Sequence, residues 1–464
     1  MRISHFTALL LACVLLFLPT VGLAVPSSLS VAVVADDHLA LRPLELNQRD
    51  VVSLLGLVYE GLFEMDDNAQ PQPKLAYAYS FSNDGRKLQV TLRQDVTFHN
   101  GEALTSADVI ATLDYMLELS GFDDNLDSET PVDERGLYYS TFYSIRSWEA
   151  TDDYTVVFTL RRASYGSLYA LTFPILPVSQ VASDMPSGTG PYKYDGYEQG
   201  SAIWLTANDA WWNRAPQVRY IRASIYDTAD QALNAFDTQS VDIAMTRSIN
   251  ASRYSGSLNT FSLNARTRQL EVLLVNRAYK DFKSDDNGQN LLRQAIAYAI
   301  NRSELISSAY QNMATVAYTP IPSGTWLSNE SAIRDIYDPL MAASLLDSAG
   351  YKLADDGNRY KDGKKMEKLR ILVYDEPGST ARTAANKIVD QLAAVGIPAY
   401  VATWPRADVQ TKLVSGDYSL ALCGLNFDVS PDPGFTLTST ASCNYTRYRS
   451  NDMNDLITQL RKSY

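Results

Sequence analysis

Short runs rich in Val and Leu alternate with longer segments of helical periodicity along this sequence, and this alternation restricts its fold more than any other feature. A short apolar run bounded by polar turn residues is typical of a β-strand. Four such runs predict strands: SLSVAVVA (28–35), KLQVTLR (87–93), YTVVFTLR (154–161) and KLRILVYD (368–375). Segment 291–306 predicts one amphipathic helix, because apolar residues recur at helical spacing from Leu292 to Ile300. The sequence therefore indicates α/β architecture.

Proline and glycine mark the ends of two further helices. The segment PLMAASLLDSAGY runs from Pro339 to Gly350, and ARTAANKIVDQLAAVGI ends at Gly396. Proline is favoured at the first position of a helix and glycine just after its last turn. Asp-Gly pairs at 356–357 and 362–363 predict a small hairpin that leads into the strand at 368.

Length and charge bound the domain count and the partners. A chain of 464 residues is long enough for two or three domains. It carries 40 Lys and Arg against 53 Asp and Glu, a formal net charge of -13. Nucleic acids and anionic membrane surfaces would be repelled at long range, so we expect neither as a partner. A neutral, zwitterionic or cationic ligand is easier to accommodate. The acidic segment 122–136 predicts an exposed loop.

The N-terminus has the pattern of an export signal. Residues 1–24 combine Arg2, an apolar run and the small residues Gly22 and Ala24 at the spacing of a signal peptidase site. We expect cleavage after Ala24 and an exported protein, either periplasmic or associated with the cell surface. A lipid anchor on Cys13 is the less favoured alternative. Residues 6–24 are also just long enough to span a bilayer if they are not cleaved.

Removal of this signal leaves two cysteines, Cys423 and Cys443, in a compartment expected to be oxidising. They form either a disulfide or a pair of buried free thiols.

His99 lies in the segment DVTFHNGEALTSADVIATLDYML (95–117), which predicts a strand end, a tight Asn-Gly turn and a helix. Thr105 is the expected N-cap of that helix, with Asp108 three residues later as in a capping box. A catalytic or metal-binding histidine needs partners, and apart from His99 the mature chain has only His38. We therefore predict a structural role for His99.

The motifs of several enzyme classes do not occur in this sequence. It has no H-E-x-x-H, no G-x-S-x-G, no Walker loop and no dinucleotide fingerprint. We therefore do not expect an enzyme, although two carboxylates of a glycosidase need only be close in space, which leaves an exported hydrolase as an alternative.

The segment 95–117 also resembles a signature of solute-binding protein family 5, the exported oligopeptide-, dipeptide- and nickel-binding proteins of ABC importers. Other words of this family occur in the family's order and cover nearly all of the mature chain. They are YEGL, P-x-LA and S-x-DG within 55–93, SGTGPYKY (187–194), WW with AP (211–216), ALNAFDTQSVDIA (232–244), RQAIAYAINRSELI (293–306), LLDSAGY (345–351) and NYTRYRSNDMNDLITQL (444–460).

This resemblance implies a two-lobed, periplasmic-binding-protein-like clamp of type II, in which a hinge closes two lobes over a ligand before the protein docks on a membrane permease. By motif order, the first lobe takes 25–66 and 186–277, with an extra subdomain inserted at 67–185. The second lobe takes 278–464, and the family's C-terminal return to the first lobe is missing from the sequence. We expect a monomer without a cofactor.

For the ligand, the resemblance implies an extended peptide that is bound in the manner of an added strand. Gly424 and Asp428 match the family's G-W-x-x-D word, in which the aspartate holds the free amine of the peptide, while Leu425 replaces the tryptophan. Asp428 has the alternative of being a turn residue or a helix cap, and Asp432 is the alternative carboxylate. The other expected ligand contacts are Cys423, Asn426, Asn47, Arg49, Tyr59 and Trp404.

Other ligands stay open. Tyr59, Trp404 and Tyr418 are aromatic residues of the kind that line a sugar site or fill a core, so the same clamp could bind an oligosaccharide or another small solute. Nickel is disfavoured because metal capture in this family relies on histidine.

Overall fold

The chain folds as an α/β protein with separate sheets in two units. The computed structural model describes residues 26–36, 39–46, 48–122, 139–246, 248–283, 290–329, 336–374, 380–427 and 430–462. The first unit comprises Met1–Leu263 with Leu460–Tyr464, and the second comprises Asn264–Gln459. The predicted signal segment, His38, Asn47, Asp428 and the predicted loop after Phe122 lie outside the described residues.

The first unit contains eleven described strands and four described α-helices. The strands are β1 (Ser28–Val34), β2 (Phe63–Met65), β3 (Pro71–Pro73), β4 (Ala76–Phe81), β5 (Lys87–Leu92), β6 (Ile145–Asp152), β7 (Thr155–Leu160), β8 (Tyr192–Glu198), β9 (Ala202–Ala207), β10 (Tyr220–Tyr226) and β11 (Ile243–Ala244). The helices are α1 (Arg49–Leu55), α2 (Ser106–Ser120), α3 (Tyr139–Ser144) and α4 (Ala229–Asp237), with 3₁₀ turns at Tyr165–Leu171, Val178–Gln180 and Ile249–Tyr254.

Three sheets organise this first unit. A five-stranded sheet has the order β11-β1-β10-β9-β8, with β1 parallel to β10 and β11. A four-stranded antiparallel sheet has the order β4-β5-β7-β6, and β2 pairs with β3. One continuous apolar core joins the two larger sheets, since Val33 of β1 and Phe158 of β7 belong to the same buried cluster.

The second unit contains seven described strands and seven described α-helices. The strands are β12 (Gln269–Val275), β13 (Lys352–Leu353), β14 (Arg359–Lys361), β15 (Lys364–Lys365), β16 (Leu369–Tyr374), β17 (Ala399–Trp404) and β18 (Leu420–Asn426). The helices are α5 (Leu291–Ala299), α6 (Arg302–Ala309), α7 (Pro339–Ser348), α8 (Thr380–Ala394), α9 (Arg406–Ser415), α10 (Gly434–Leu437) and α11 (Asn451–Lys462), with a 3₁₀ turn at Lys280–Phe282.

A four-stranded sheet of the order β12-β18-β16-β17 forms the centre of the second unit. Strand β16 is parallel to β17 and β18, and β12 is antiparallel to β18. Successive side chains of a strand point to opposite faces, so each face packs on its own layer. Ile371 belongs to the apolar cluster that includes Ile388 of α8, whereas Leu372 belongs to the cluster that includes Val409 of α9.

The four strands predicted from apolar runs are confirmed as β1, β5, β7 and β16. The helices that begin at Pro339 and end before Gly396 are confirmed as α7 and α8, and the Asp-Gly pairs form the turns of the meander β13-β14-β15. The single helix predicted over 291–306 is wrong, because the chain becomes extended at Ile300 and a new helix, α6, begins after Asn301.

The boundary between the units also differs from the one predicted. Motif order placed it at residue 278, but β12 pairs along its whole length with β18 of the second unit, so the boundary falls at Asn264. Among the described residues, none of the helices has the length and apolar character needed to cross a bilayer.

Candidate ligand-binding site

Residues from the family motifs of the first unit form a buried ionic cluster. Lys74 Nζ lies 3.3 Å from Glu60 Oε1 and 3.1 Å from Glu64 Oε2. The indole N–H of Trp212 donates to Glu60 at 2.8 Å, and the Thr189 hydroxyl donates to the same carboxylate at 2.9 Å. Burial raises the pKa of Glu64 to about 7, against the opposing effect of Lys74. These motif residues therefore stabilise the interior of the first unit and do not form a ligand contact.

His99 fastens the SGTGPY loop to this interior. Its Nε2 lies 3.0 Å from the carbonyl oxygen of Gly190, and its Nδ1 accepts from the backbone N–H of Gly188 at 3.3 Å. Burial lowers the pKa of His99, which favours the neutral ring that this pair of contacts requires. A Cβ atom at Gly188 would lie 2.0 Å from the carbonyl oxygen of Val58, so the loop needs glycine there. The predicted structural role of His99 is confirmed.

The second unit has the arrangement of strands and helices that creates a binding crevice. Strands β16, β17 and β18 are parallel, so their last residues Tyr374, Trp404 and Asn426 lie at the same end of the sheet. Strand β12, which is antiparallel to β18, begins at this end. The helix after β16 packs on one face and the helix after β17 on the other. Ligands of open α/β sheets bind at the carboxyl edge where the connections diverge in this way.

Within the described part of the chain, strand β18 has an open backbone edge at this position. It pairs with β12 from Leu420 to Asn426, but with β16 only at Leu420 and Ala421. Residues 423–426 therefore have no strand partner on the β16 side in the part of the chain that the structure describes. An unpaired row of backbone N–H and C=O groups is a template for another extended chain.

A group of polar residues lies beside this edge on one face of the sheet. Glu271 is directly opposite Gly424, and Gln269 is opposite the exposed Asn426. A Cβ atom at Gly424 would lie 2.7 Å from Gln269 Nε2, so the glycine leaves room for this amide across the strand. Burial raises the pKa of the Glu271 carboxylate, and the nearby Tyr310 hydroxyl opposes this rise.

Gln269, Glu271 and Tyr310 were missed by the sequence analysis. Glu271 is the charged residue of the apolar run LEVLLV, and this position could have drawn attention to it, because unpaired charges are rare in buried strands. The alignment of Glu271 with Gly424 depends on strand register, which no local pattern contains.

The other predicted contacts have different surroundings. Trp404 is 40% exposed at the end of β17, with Lys412 Nζ 4.4 Å from its ring centroid. Tyr418 fills a core, where its hydroxyl donates to the carbonyl oxygen of Tyr445. In the first unit, Tyr59 is buried and donates to the carbonyl oxygen of Pro186 at 2.8 Å, while Arg49 pairs with Asp50 at 2.8 Å.

Cys423 and Cys443 are not bonded to each other in the structure, as in the free-thiol alternative. Cys423 is buried in an apolar cluster against which Cys443 packs. This burial raises the pKa of Cys423 to about 12. Disulfide formation requires a thiolate, which these surroundings disfavour.

Asp432, the alternative carboxylate, has a structural role at a helix start. It accepts a hydrogen bond from the backbone N–H of Gly434 at 2.7 Å, where α10 begins. Asp428, the preferred carboxylate, follows Phe427 directly and lies outside the described residues.

Comparison with known proteins identifies the family. The sequence profile of the bacterial extracellular solute-binding proteins, family 5, matches residues 70–447. The chain belongs to this family. Its members are solute-binding proteins that deliver small solutes to ABC permeases, and they are not enzymes.

Individual relatives show how widely the family varies. Protein XP55 of Streptomyces lividans is 27% identical over 66% of this chain and 55% of its own length, so the chain spans little more than half of that relative. The dipeptide-binding protein of Escherichia coli is 24% identical over 84% of this chain and 75% of its own length.

Solved structures show the same two-lobed clamp fold. HbpA2 from Haemophilus parasuis matches with a TM-score of 0.77 at 20% identity, covering 94% of this chain and 88% of that one. The ABC transporter substrate-binding protein CtaP from Listeria monocytogenes matches with a TM-score of 0.75 at 21% identity, covering 95% and 87%.

Proposed function

We propose that this family 5 protein binds a peptide in extended conformation and delivers it to its ABC permease. The observation that carries the proposal is the backbone edge at residues 423–426, which has no partner on the β16 side among the described residues because β18 extends beyond its pairing with β16. A peptide added to this edge would satisfy backbone groups on both chains, whatever its side chains. Backbone pairing therefore suits an importer that accepts many sequences.

Two relatives support a peptide, and others bind different solutes. The oligopeptide-binding protein AppA of Bacillus subtilis is 25% identical over 81% of this chain, and the E. coli relative binds dipeptides. Haemophilus influenzae heme-binding protein A is 22% identical over 87% of this chain, and NikZ from Campylobacter jejuni has been solved with Ni(L-His). The class of ligand must therefore be measured.

The Asp428 carboxylate is proposed to receive the free amine of the peptide. It follows the open edge by two residues, and a carboxylate and an ammonium form a charge-assisted hydrogen bond. Removal of one partner from a buried pair of this kind costs about 2 to 5 kcal/mol, because the other charge stays unpaired.

Thermal unfolding of residues 25–464 tests this function. Tetra-alanine with a free amine should raise the melting temperature, because a ligand at about a hundred times its Kd stabilises a protein by about 2.7 kcal/mol. N-acetyl-tetra-alanine and the Asp428→Asn variant should show little effect. Asp390→Asn, an exposed carboxylate on α8, is the matched control and should respond like the parent protein.

The possible outcomes separate the alternatives. Equal binding of acetylated and free peptides would overturn the role of Asp428. A response to oligosaccharides, heme or nickel alone would overturn the peptide. Consumption of the ligand would indicate a hydrolase.

We also propose that residues 1–24 direct export and are removed. The Arg2, apolar run and Ala24 of this segment support the proposal. Mass spectrometry of the secreted protein should give Val25 as the first residue, and a lipid-modified Cys13 at the N-terminus would contradict it.

A further inference from the structure

The peptide backbone contacts proposed above leave one buried carboxylate beside the open edge of β18 without a role. Glu271 Oε1 is inaccessible to solvent and has no hydrogen-bond partner among the described residues. Buried polar atoms in proteins are nearly always paired, and a carboxylate left unpaired is costly. A group that supplies a hydrogen bond to this oxygen would remove that cost.

The position of Glu271 places its side chain next to the proposed peptide. Side chains directly opposite each other on paired strands point to the same face, so Glu271 shares its face with Gly424. Gly424 has no side chain of its own, and the amide of Gln269 occupies the space above it. Gln269 and Asn426 form the next pair towards the end of the sheet. A ligand backbone along 423–426 would therefore have a side chain within reach of Glu271.

Among the described residues, no Lys or Arg pairs with the Glu271 carboxylate. Its pKa is raised by burial and lowered by the Tyr310 hydroxyl, and no Lys or Arg contributes to it. Cys423 and Tyr374 are further described ionisable groups of this neighbourhood, since Cys423 interacts with Glu271 and Tyr374 interacts with Tyr310. The Arg406 guanidinium lies 5.7 Å from the ring centroid of Tyr374. Burial raises the pKa of Cys423 to about 12, so its thiol is neutral at physiological pH.

From these contacts we infer that Glu271 selects ligands with a cationic side chain by accepting a hydrogen bond from its ammonium or guanidinium group. This inference rests on the proposed peptide function and adds a side-chain preference to it. The formal net charge of -13 favours the approach of the same ligands at long range.

Binding of two matched peptide sets, measured by isothermal titration calorimetry, tests the inference. One set carries a single lysine at each position of tetra-alanine in turn, and the other carries norleucine, which has the same carbon stem without the amine. At one position at least, lysine should bind about 10- to 100-fold more tightly than norleucine, as expected for a buried hydrogen bond to a charged group.

Variants assign this preference to Glu271. Glu271→Gln should bring the two affinities close to equality while norleucine peptides still bind. Glu367→Gln removes an exposed carboxylate of the same unit that pairs with Lys280, and it should keep the preference. The lysine preference requires an ionised Glu271, so it is lost as the pH is lowered through the pKa of this carboxylate. Tyr310→Phe should shift this loss to a higher pH than in the parent protein, because the carboxylate loses the hydroxyl that lowers its pKa.

Three results would overturn the inference. The first is equal affinity of the parent protein for lysine and norleucine at every position, which leaves peptide binding itself intact. The second is an unchanged lysine preference in a folded Glu271→Gln variant. The third is that no peptide of either set binds, and in that case the peptide function fails as well.

Discussion

Glu64 shows how a single residue couples the stability of the first unit to pH. Its carboxylate is buried beside Lys74, and burial raises its pKa from 4.5 to about 7. The folded state therefore keeps a proton that the unfolded state releases above pH 4.5. The stability from this proton is fully present below pH 4.5 and is lost as the pH rises through about 7.

We therefore expect the free energy of unfolding of the parent protein to fall by about 3 kcal/mol relative to Glu64→Gln between pH 5 and pH 8. Urea denaturation of both proteins at the two pH values measures this difference. Glu198→Gln, at an exposed position of the same unit, should follow the parent protein. Parallel pH dependence of the parent and Glu64→Gln would contradict the expectation.

Residue roles were predictable where they depend on neighbours in the chain. The capping box of Thr105 and Asp108 is present as the sequence predicts, with the Thr105 N–H donating to Asp108 at 2.8 Å. The role of Glu60 was not predictable, because its partners Thr189 and Trp212 are more than a hundred positions away.

At the scale of elements, the division of segment 291–306 into α5 and α6 is the clearest departure from the predicted pattern. Asn301 accepts a hydrogen bond from the backbone N–H of Glu304 at 3.0 Å, so it is the N-cap of α6. Its own N–H donates to the Gln391 side chain of α8 at 3.1 Å. Apolar residues continue at helical spacing across this cap, so the periodicity predicts one uninterrupted helix. The helix start was still readable from Asn301 and Glu304, because Asn followed three residues later by Glu is the spacing of a capped helix start.

Removal of this cap should destabilise the second unit. We expect Asn301→Ala to lower the free energy of unfolding by about 1 kcal/mol, because the first turn of α6 loses an acceptor. Asn301→Asp keeps a side-chain oxygen at this position and should stay close to the parent protein. Chemical denaturation followed by circular dichroism compares the three proteins, and equal stability of the alanine variant would show that the cap contributes nothing.

At the scale of the whole molecule, the negative charge should govern how fast ligands associate. A formal net charge of -13 attracts cationic ligands at long range. Salt weakens this attraction, since the Debye length is only about 10 Å at 0.1 M ionic strength. We expect the association rate of a lysine-containing tetra-alanine peptide to fall about 2- to 10-fold between 20 and 300 mM NaCl.

Stopped-flow tryptophan fluorescence measures this rate, and Trp404 at the carboxyl edge of the second sheet is a natural reporter. The norleucine peptide carries no net charge and should associate at nearly the same rate in both salt concentrations. Identical salt dependence of the two peptides would mean that the net charge does not steer the ligand.

The sequence by itself determined the strands β1, β5, β7 and β16, the helix caps at Thr105 and Gly396, the structural role of His99 and the family. These features depend on periodicity, turn chemistry and word order, all of which are readable over short distances along the chain. Tertiary structure alone decided the buried ionic cluster at Glu60, the free thiols and the placement of Glu271 opposite Gly424. Each of these depends on burial or strand register between segments far apart in sequence, and no local pattern contains that information.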